Sequence, residues 1–439
     1  MGMSIRRTFL FGLCACVLLP ALAVAQTRPA TGPTLTINVR ADRADAVYRV
    51  GDPVQFNVRL TGANREAAAD QRLEYTVSND GTGKVVTGEL KAGREPATVK
   101  VPATQPGILR IEVTGDADGK KTTAVAGAAV DPEKLRPSMD APSGFDSFWQ
   151  KQLSRLAAEP AHATTTPVNS PDPTVEAVDL QITCPGGMPV SAYYAKPKGA
   201  KPKSLPAILY PHSAGVRSSD LPHAVHGARM GAICIDVNAH GIPNGRPASF
   251  YADLQNGDLK GYAGRNPEDP EGFYFNGMFL RLMRAMEFLT TQPEWDGKTL
   301  VVAGSSQGGG QAIVAAGLDP RVTLICASVP ALCDHTGFVN GGPTGWPHHL
   351  GTGSSAKAVE VARYYDAVNF ARRARCESLL TVGLVDRTCP PTTVFSAYNV
   401  LPETKRIIIE PAMGHEFPSR LATAFDDRIR EHIETRKGK

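Results

Sequence analysis

Gly304-Ser305-Ser306-Gln307-Gly308 has the G-x-S-x-G form that places a serine on a sharp turn. An apolar run, Leu300-Val301-Val302-Ala303, precedes it, and the small-residue stretch Gly309-Gly310-Gln311-Ala312-Ile313-Val314-Ala315-Ala316 follows. This order predicts strand, turn and helix, with the Ser306 hydroxyl lifted above a sheet edge beside a helix N-terminus. The turn demands small residues two before and two after the serine, which Gly304 and Gly308 supply. The chemistry would be nucleophilic acyl transfer. A plainer reading is a glycine-rich helix start packed closely for structural reasons, but the strand before it favours a nucleophile.

A serine hydroxyl needs a base, and the base needs an acid to orient it. On a sheet of this type both follow the serine, acid first, each just past a late strand. Leu379-Leu380-Thr381-Val382-Gly383-Leu384-Val385 ends at Asp386, and Arg406-Ile407-Ile408-Ile409-Glu410 is followed by Gly414-His415. Ser306, Asp386 and His415 are therefore the expected triad. Other histidines fit less well. His432 lies in a polar C-terminal helix, His348-His349 follow a Gly/Pro-rich loop, and His223 and His226 precede the serine. Glu410 rivals Asp386 but is too near His415 in sequence for the usual geometry.

Two backbone N–H groups should receive the developing oxyanion. One is expected from Gln307. The other is expected from the loop Pro211-His212-Ser213-Ala214-Gly215, from Ala214 in the first instance and Ser213 as the alternative. His212 reads as a loop-stabilising residue. Asp236, His240 and the His348-His349 pair are the places to look for a metal. No H-E-x-x-H or equivalent motif is present, so neither metal nor cofactor is expected.

These residues need a scaffold. From Gly144-Phe145-Asp146-Ser147-Phe148-Trp149 onward, strands and helices alternate, which predicts a mainly parallel sheet covered on both faces, an α/β-hydrolase arrangement over residues 140–439. Core strands are expected at Ala207–Tyr210, Ala232–Val237, Leu300–Val302, Leu324–Val329, Leu379–Val382 and Arg406–Ile409, with a helix over Phe279–Leu289. Residues 34–130 differ. Period-two segments such as Val54-Gln55-Phe56-Asn57-Val58 and Ile108-Leu109-Arg110-Ile111-Glu112-Val113 alternate with turns such as Asn79-Asp80-Gly81. About seven such strands predict a small all-β immunoglobulin-like sandwich. It carries no catalytic constellation, and few aromatics for a sugar platform, so a spacer or packing role is expected.

The first 25 residues have a basic start, Arg6-Arg7, an apolar run to about Leu22, and Ala23-Val24-Ala25 as small residues at a cleavage site. That is the pattern of a secretory signal peptide, which predicts a secreted or periplasmic protein. The apolar run is short for a membrane span. Cys16, with Leu13 upstream, gives a faint lipoprotein-like pattern, but the apolar run continues past it. Of eight cysteines, Cys14 and Cys16 fall in this segment. The other six show no C-x-x-C spacing and read as buried thiols. The formal net charge of +4 drops to +2 when Arg6 and Arg7 leave, so no nucleic-acid or membrane partner is expected. Oligomeric state is left open.

Several segments together resemble the acetyl xylan esterase / cephalosporin C deacetylase family, carbohydrate esterase family seven. They are Gly304-Ser305-Ser306-Gln307-Gly308-Gly309-Gly310, Leu318-Asp319-Pro320-Arg321-Val322, Val329-Pro330-Ala331-Leu332-Cys333-Asp334, Tyr365-Asp366-Ala367-Val368-Asn369-Phe370-Ala371, Val382-Gly383-Leu384-Val385-Asp386, the run from Cys389-Pro390-Pro391 to Asn399, and Gly414-His415-Glu416. The resemblance implies the same triad. It also implies removal of acetyl groups from small oxygen-linked esters, typically on xylo-oligosaccharides, so a small-molecule or oligosaccharide ester is the expected partner. Two segments depart from the family. Its Arg-Gly-Gln is replaced by Asp236-Val237-Asn238-Ala239-His240-Gly241, and its His-Gly-Tyr-x-Gly loop by His212-Ser213-Ala214-Gly215-Val216. The extra β domain is a further departure, so the ring-shaped hexamer of some members is not carried over. Two other classes are weighed: a secreted serine peptidase of the same fold, which lacks a paired-Glu amine anchor here, and a non-catalytic binding protein, against which the ordered triad argues.

Overall fold

The computed structural model describes residues 36–62, 71–93, 95–117, 120–402 and 404–437. The expected signal peptide lies outside these residues. The first strands form two sheets. One has the order β1 (Thr36–Ala41), β3 (Pro53–Thr61), β6 (Ala97–Pro102). The other has the order β2 (Val47–Tyr48), β8 (Lys120–Val130), β7 (Gly107–Ala117), β4 (Gln71–Asn79), β5 (Thr82–Ala92). Along β3, Val54, Phe56, Val58 and Leu60 are buried while Gln55, Asn57 and Arg59 are not, as period-two alternation requires. The β4–β5 hairpin turns at Asp80 and Gly81, with φ of 49° and 82°. Positive φ at both positions is the two-residue turn that matches strand twist, and an Asp-Gly pair suits it.

Past Val130, helix Phe145–Ala158 leads into a nine-stranded sheet. Its order is β17 (Lys405–Glu410), β16 (Glu377–Gly383), β15 (Leu324–Ser328), β14 (Trp295–Ser305), β12 (Leu205–Pro211), β13 (Ile233–Val237), β11 (Val190–Pro197), β10 (Val175–Ile182), β9 (Ala163–Val168). The six strands from β12 onward run parallel, and β9, β10 and β11 form an antiparallel edge. The expected strands are all in the parallel part. The edge was less legible because Ala163-Thr164-Thr165-Thr166-Pro167 is exposed and carries no apolar alternation.

The apolar runs of the central strands are explained by burial on both faces. Ile208, Tyr210, Val301, Ala303 and Leu379 join Phe425, Ile429 and Ile433 of helix Ser419–Lys437 in one cluster. Their neighbours Ala207, Leu209, Leu300, Val302 and Leu380 join Phe279 of helix Tyr274–Thr291 and Ile313 of helix Gln307–Leu318 in another. β12 lies between β13 and β14, so the chain reverses its direction of winding there. The crevice at such a switch point, outside the carboxyl ends of the strands, is where ligands enter an α/β sheet.

His335 illustrates the cost of the interior. It is 1% exposed, and neither ring nitrogen has a well-aligned hydrogen bond, the Ala362 and Trp346 carbonyls being its nearest acceptors. Burial pulls it down to about 4, although the Ala362 and Trp346 carbonyls act the other way. Its folded value lies below its unfolded one. The stability it permits is therefore present above the unfolded imidazole value and is lost as pH falls towards 4. Asp80, Asp334 and Asp366, raised by burial to about 6, act in the opposite sense over the same window. His335→Gln should flatten the fall in Tm between pH 7 and pH 5 by the equivalent of about 2 kcal/mol. Parallel Tm curves for the two proteins would remove His335 as a source of acid sensitivity.

Candidate active site

β14 ends at Ser305, and Ser306 takes φ 56° and ψ −122° before helix Gln307–Leu318 begins. A non-glycine residue there is strained and persists only when its surroundings hold it. Here the Ser306 N–H donates to the Ser328 carbonyl at 2.9 Å, and the Ser306 carbonyl accepts from Gly310 at 3.0 Å and Ala331 at 2.9 Å. The two flanking glycines are required by space. A Cβ on Gly304 would stand 2.6 Å from the Gly308 carbonyl carbon, and one on Gly308 would stand 2.2 Å from the Pro211 carbonyl oxygen. The elbow is thus pressed against the end of β12.

The structure brings together the three side chains singled out from sequence. His415 Nε2 lies 2.8 Å from Ser306 Oγ, and His415 Nδ1 lies 2.8 Å from Asp386 Oδ2. Asp386 is fully buried just beyond β16, where its Oδ1 accepts the N–H groups of Thr388 at 2.8 Å and Cys389 at 2.9 Å. Those two bonds fix the carboxylate so that its other oxygen faces the imidazole. His415 follows β17 in a loop stitched to the acid loop, with the Val385 N–H donating to the Met413 carbonyl at 3.2 Å. The rival Glu410 is engaged with Arg420 at 2.8 Å. His226 pairs with Asp426 at 2.9 Å and His432 with Thr323 at 2.9 Å, both away from Ser306.

Gln307 opens the helix, so its N–H is among the first four that have no acceptor within the helix. Ala214 lies in the turn after β12, and its neighbour Ser213 donates to the Ser305 carbonyl at 2.9 Å. A cavity of about 400 Å³ is lined by Ala214, Gly215, Leu259, Tyr262 and Trp346, among others. A second cavity, of about 380 Å³, lies against Ser305, Phe417 and Phe425. Neither Ser306 nor His415 lines either cavity.

The replaced motif has a clear structural role. His240 Nδ1 is 2.6 Å from the Tyr274 hydroxyl and Nε2 is 3.1 Å from the Gly215 carbonyl. A carbonyl only accepts, so Nε2 carries the proton and Nδ1 accepts from Tyr274. Burial, ahead of the neighbouring cations, pulls His240 down to about 4, which keeps the ring neutral. His240 therefore ties the loop after Ala214 to helix Tyr274–Thr291. Arg281 of that helix donates to the Ala239 carbonyl at 2.9 Å, placing a guanidinium from a different part of the chain against this segment. The Tyr262 hydroxyl donates to Gln307 Oε1 at 2.7 Å, and Gln311 Nε2 donates to the His212 carbonyl at 3.2 Å. His212 in turn sits 2.5 Å from Asp236, which also meets His223 at 3.0 Å. Burial would raise Asp236, but the two imidazoles hold it at about 2.

None of Tyr262, Trp346 or the His240–Gly215 bond was legible in the sequence, where they fall in irregular segments without periodicity. Replacing His240 with alanine should lower kcat about tenfold with KM little changed, because a loop displaced by even 1 Å costs up to about 100-fold. An unaltered kcat on 4-nitrophenyl acetate would show that the loop holds itself. Among the described residues, Asp386, Cys389 and His415 are the group whose potential ligand atoms converge. Asp386 and His415 are already bonded to each other. Burial raises the Cys389 thiol far above its ordinary range, which disfavours the thiolate a metal would need. All six cysteines of the described part are buried and free.

A strand–serine–helix elbow on a doubly wound sheet of this order, with an acid and a histidine supplied by the next loops, defines an α/β-hydrolase. Residues 131–427 match the acetyl xylan esterase family AXE1. The acetyl esterase Axe7A of Xylanibacter ruminicola is 31% identical over 410 residues, 90% of each chain. The solved acetyl xylan esterase from Paenibacillus sp. R4 is 28% identical with a TM-score of 0.60, covering 68% of this chain and 98% of that one. Acetyl xylan esterase 1 from Thermoanaerobacterium sp. JW/SL YS485 is 24% identical, also with a TM-score of 0.60, covering 69% and 97%, a likeness that bears on the fold alone. The chain belongs to the acetyl xylan esterase family and is a carboxylic ester hydrolase.

Proposed function

We propose that the protein is an exported carbohydrate esterase that removes acetyl groups through an acetyl-serine intermediate, with acetylated xylo-oligosaccharides as the substrate class. The observation that carries this reading is His415 bridging Ser306 and Asp386 at 2.8 Å on each side. Ser306 Oγ attacks the acetyl carbonyl as its proton passes to His415 Nε2. Asp386 holds the imidazole in the required tautomer and stabilises the imidazolium. The oxyanion rests on the N–H groups of Gln307 and Ala214. Collapse of the tetrahedral intermediate breaks the bond to the sugar oxygen, which takes the proton from His415. Water then repeats the sequence on the acetyl-enzyme, and acetate leaves with Ser306 restored.

Support for the cavity of about 400 Å³ as the substrate's seat is limited to Ala214, the expected oxyanion donor, which lines it. Tyr262 and Trp346 in its wall are the aromatic surface available to a sugar ring. Export rests on the pattern of residues 1–25. Acetate release from acetylated xylo-oligosaccharides, with 4-nitrophenyl acetate in parallel, tests the proposal. Release from both is expected. Turnover of 4-nitrophenyl acetate alone would keep the hydrolytic chemistry and reject the carbohydrate.

A further inference from the structure

The sandwich, for which a spacer or packing role is expected, grips the segments that carry Asp386 and His415. Asp80, at the tip of the β4–β5 hairpin, is 2% exposed, and its Oδ2 accepts the N–H of Thr392 at 2.9 Å. Thr392 stands in the first turn of helix Pro391–Val400, which begins immediately after the Asp386–Cys389 turn. Arg110 of β7, itself 6% exposed, lies 3.6 Å from Asp80 Oδ1. Two residues further along β7, Glu112 accepts from Arg387, the residue after Asp386, at 2.5 Å. The third grip is on β8. The Gly127 N–H donates to the Pro411 carbonyl at 3.3 Å, in the segment leading to His415. A Cβ on Gly127 would stand 2.5 Å from Leu384 Cβ and 2.6 Å from its carbonyl oxygen.

These contacts cost free energy that a spacer has no reason to spend. Sealing a carboxylate inside an interface requires compensating donors, and losing a partner of such a group is strongly destabilising. An apolar patch would join two domains more simply. Each polar contact falls within a few residues of Asp386 or His415, and one continuous core contains Ala126, Ala128 and Ala129 of β8 with Leu384, Cys389 and Val394. Burial raises Asp80 to about 6, opposed by the Thr392 N–H and Arg110, with the Asp386 charge pushing the same way as burial. The two carboxyl groups are thus near enough to sense each other.

We propose that the sandwich is a working part of the catalytic centre, in which Asp80, Glu112 and Gly127 position the loop that presents Asp386 to His415. The proposal rests on the reading of Ser306, Asp386 and His415 as the triad. Asp80, Glu112 and Gly127 are positioning residues, acting on the reaction through the geometry of Asp386.

The test measures kcat and KM on 4-nitrophenyl acetate, and Tm, for the full chain and its variants. Asp80→Ala should lower kcat about tenfold while KM stays within about twofold, the signature of a misaligned catalytic group rather than a lost binding contact. Asp80→Asn keeps an acceptor for the Thr392 N–H and should recover most of that loss. Gly127→Ala, which pushes on Leu384 without removing a charge, should lower kcat comparably and carries the test if Asp80→Ala does not fold. Val99→Ala, in the far sheet of the sandwich, should lower Tm and leave kcat alone. The proposal is overturned if Asp80→Ala and Gly127→Ala lose Tm as Val99→Ala does and turn over at the wild-type rate. Wild type and Ser306→Ala in the same assay separate the two claims. An inactive wild type rejects the triad reading, whereas an active wild type with fully active interface variants rejects the role of the sandwich alone.

Discussion

Asp386→Asn should reduce kcat by about 10⁴ while leaving the fold intact. The wild-type carboxylate uses Oδ1 for the Thr388 and Cys389 N–H groups and Oδ2 for His415 Nδ1. An asparagine can satisfy the two backbone donors with its carbonyl oxygen. Its NH₂ then faces Nδ1 as a donor, and the imidazole must present a lone pair there. Nε2 becomes protonated and is no longer able to take the Ser306 proton. The loss is therefore in kcat, with KM for 4-nitrophenyl acetate little changed. A drop of less than tenfold would mean that Asp386 serves the loop and not the base.

Ser306→Ala is expected to have the largest effect, about 10⁵- to 10⁶-fold in kcat, comparable to removing the whole triad. Among the described residues, the two nearest candidates to replace it are poorly set up. Ser305 keeps its carbonyl bonded to Ser213, and the Cys389 thiol is buried with its ionisation strongly disfavoured. The residual rate should come from the oxyanion donors and binding alone. Because Ser306 holds positive φ, alanine inherits the same backbone strain, and a change in Tm of no more than about 1 kcal/mol equivalent is expected. Retention of wild-type turnover by a folded Ser306→Ala would reject the nucleophile outright.

The three side chains proposed as the triad were legible because each has a local signature. A strand, a turn of small residues and a helix surround Ser306, while Asp386 and His415 each follow an apolar run at the right point of the chain order. The parallel sheet was legible for the same reason, since strands buried on both faces read as unbroken apolar stretches. What supports the site was not. His240 was read as structural, yet nothing in sequence connects it to the Gly215 carbonyl 25 positions away. Tyr262 meets Gln307 across 45 positions, and Asp80 meets Thr392 across 312. Such contacts are created by topology, and a sequence pattern reports only neighbours on one helix or strand. The sandwich read as a spacer or packing domain, and its contacts with the second domain, made from one hairpin tip and two strand positions, have no motif to mark them. Among the described residues of the sandwich, eight strands are present where about seven were expected, the shortest being the two-residue Val47–Tyr48.

Reaction with a fluorophosphonate probe, followed by mass-spectrometric mapping of the modified peptide, shows whether Ser306 is an activated nucleophile. A single modification at Ser306 is expected, formed rapidly in wild type and suppressed in His415→Ala, whose serine has lost its base. Modification of a different residue, or equal labelling with and without His415, would contradict it.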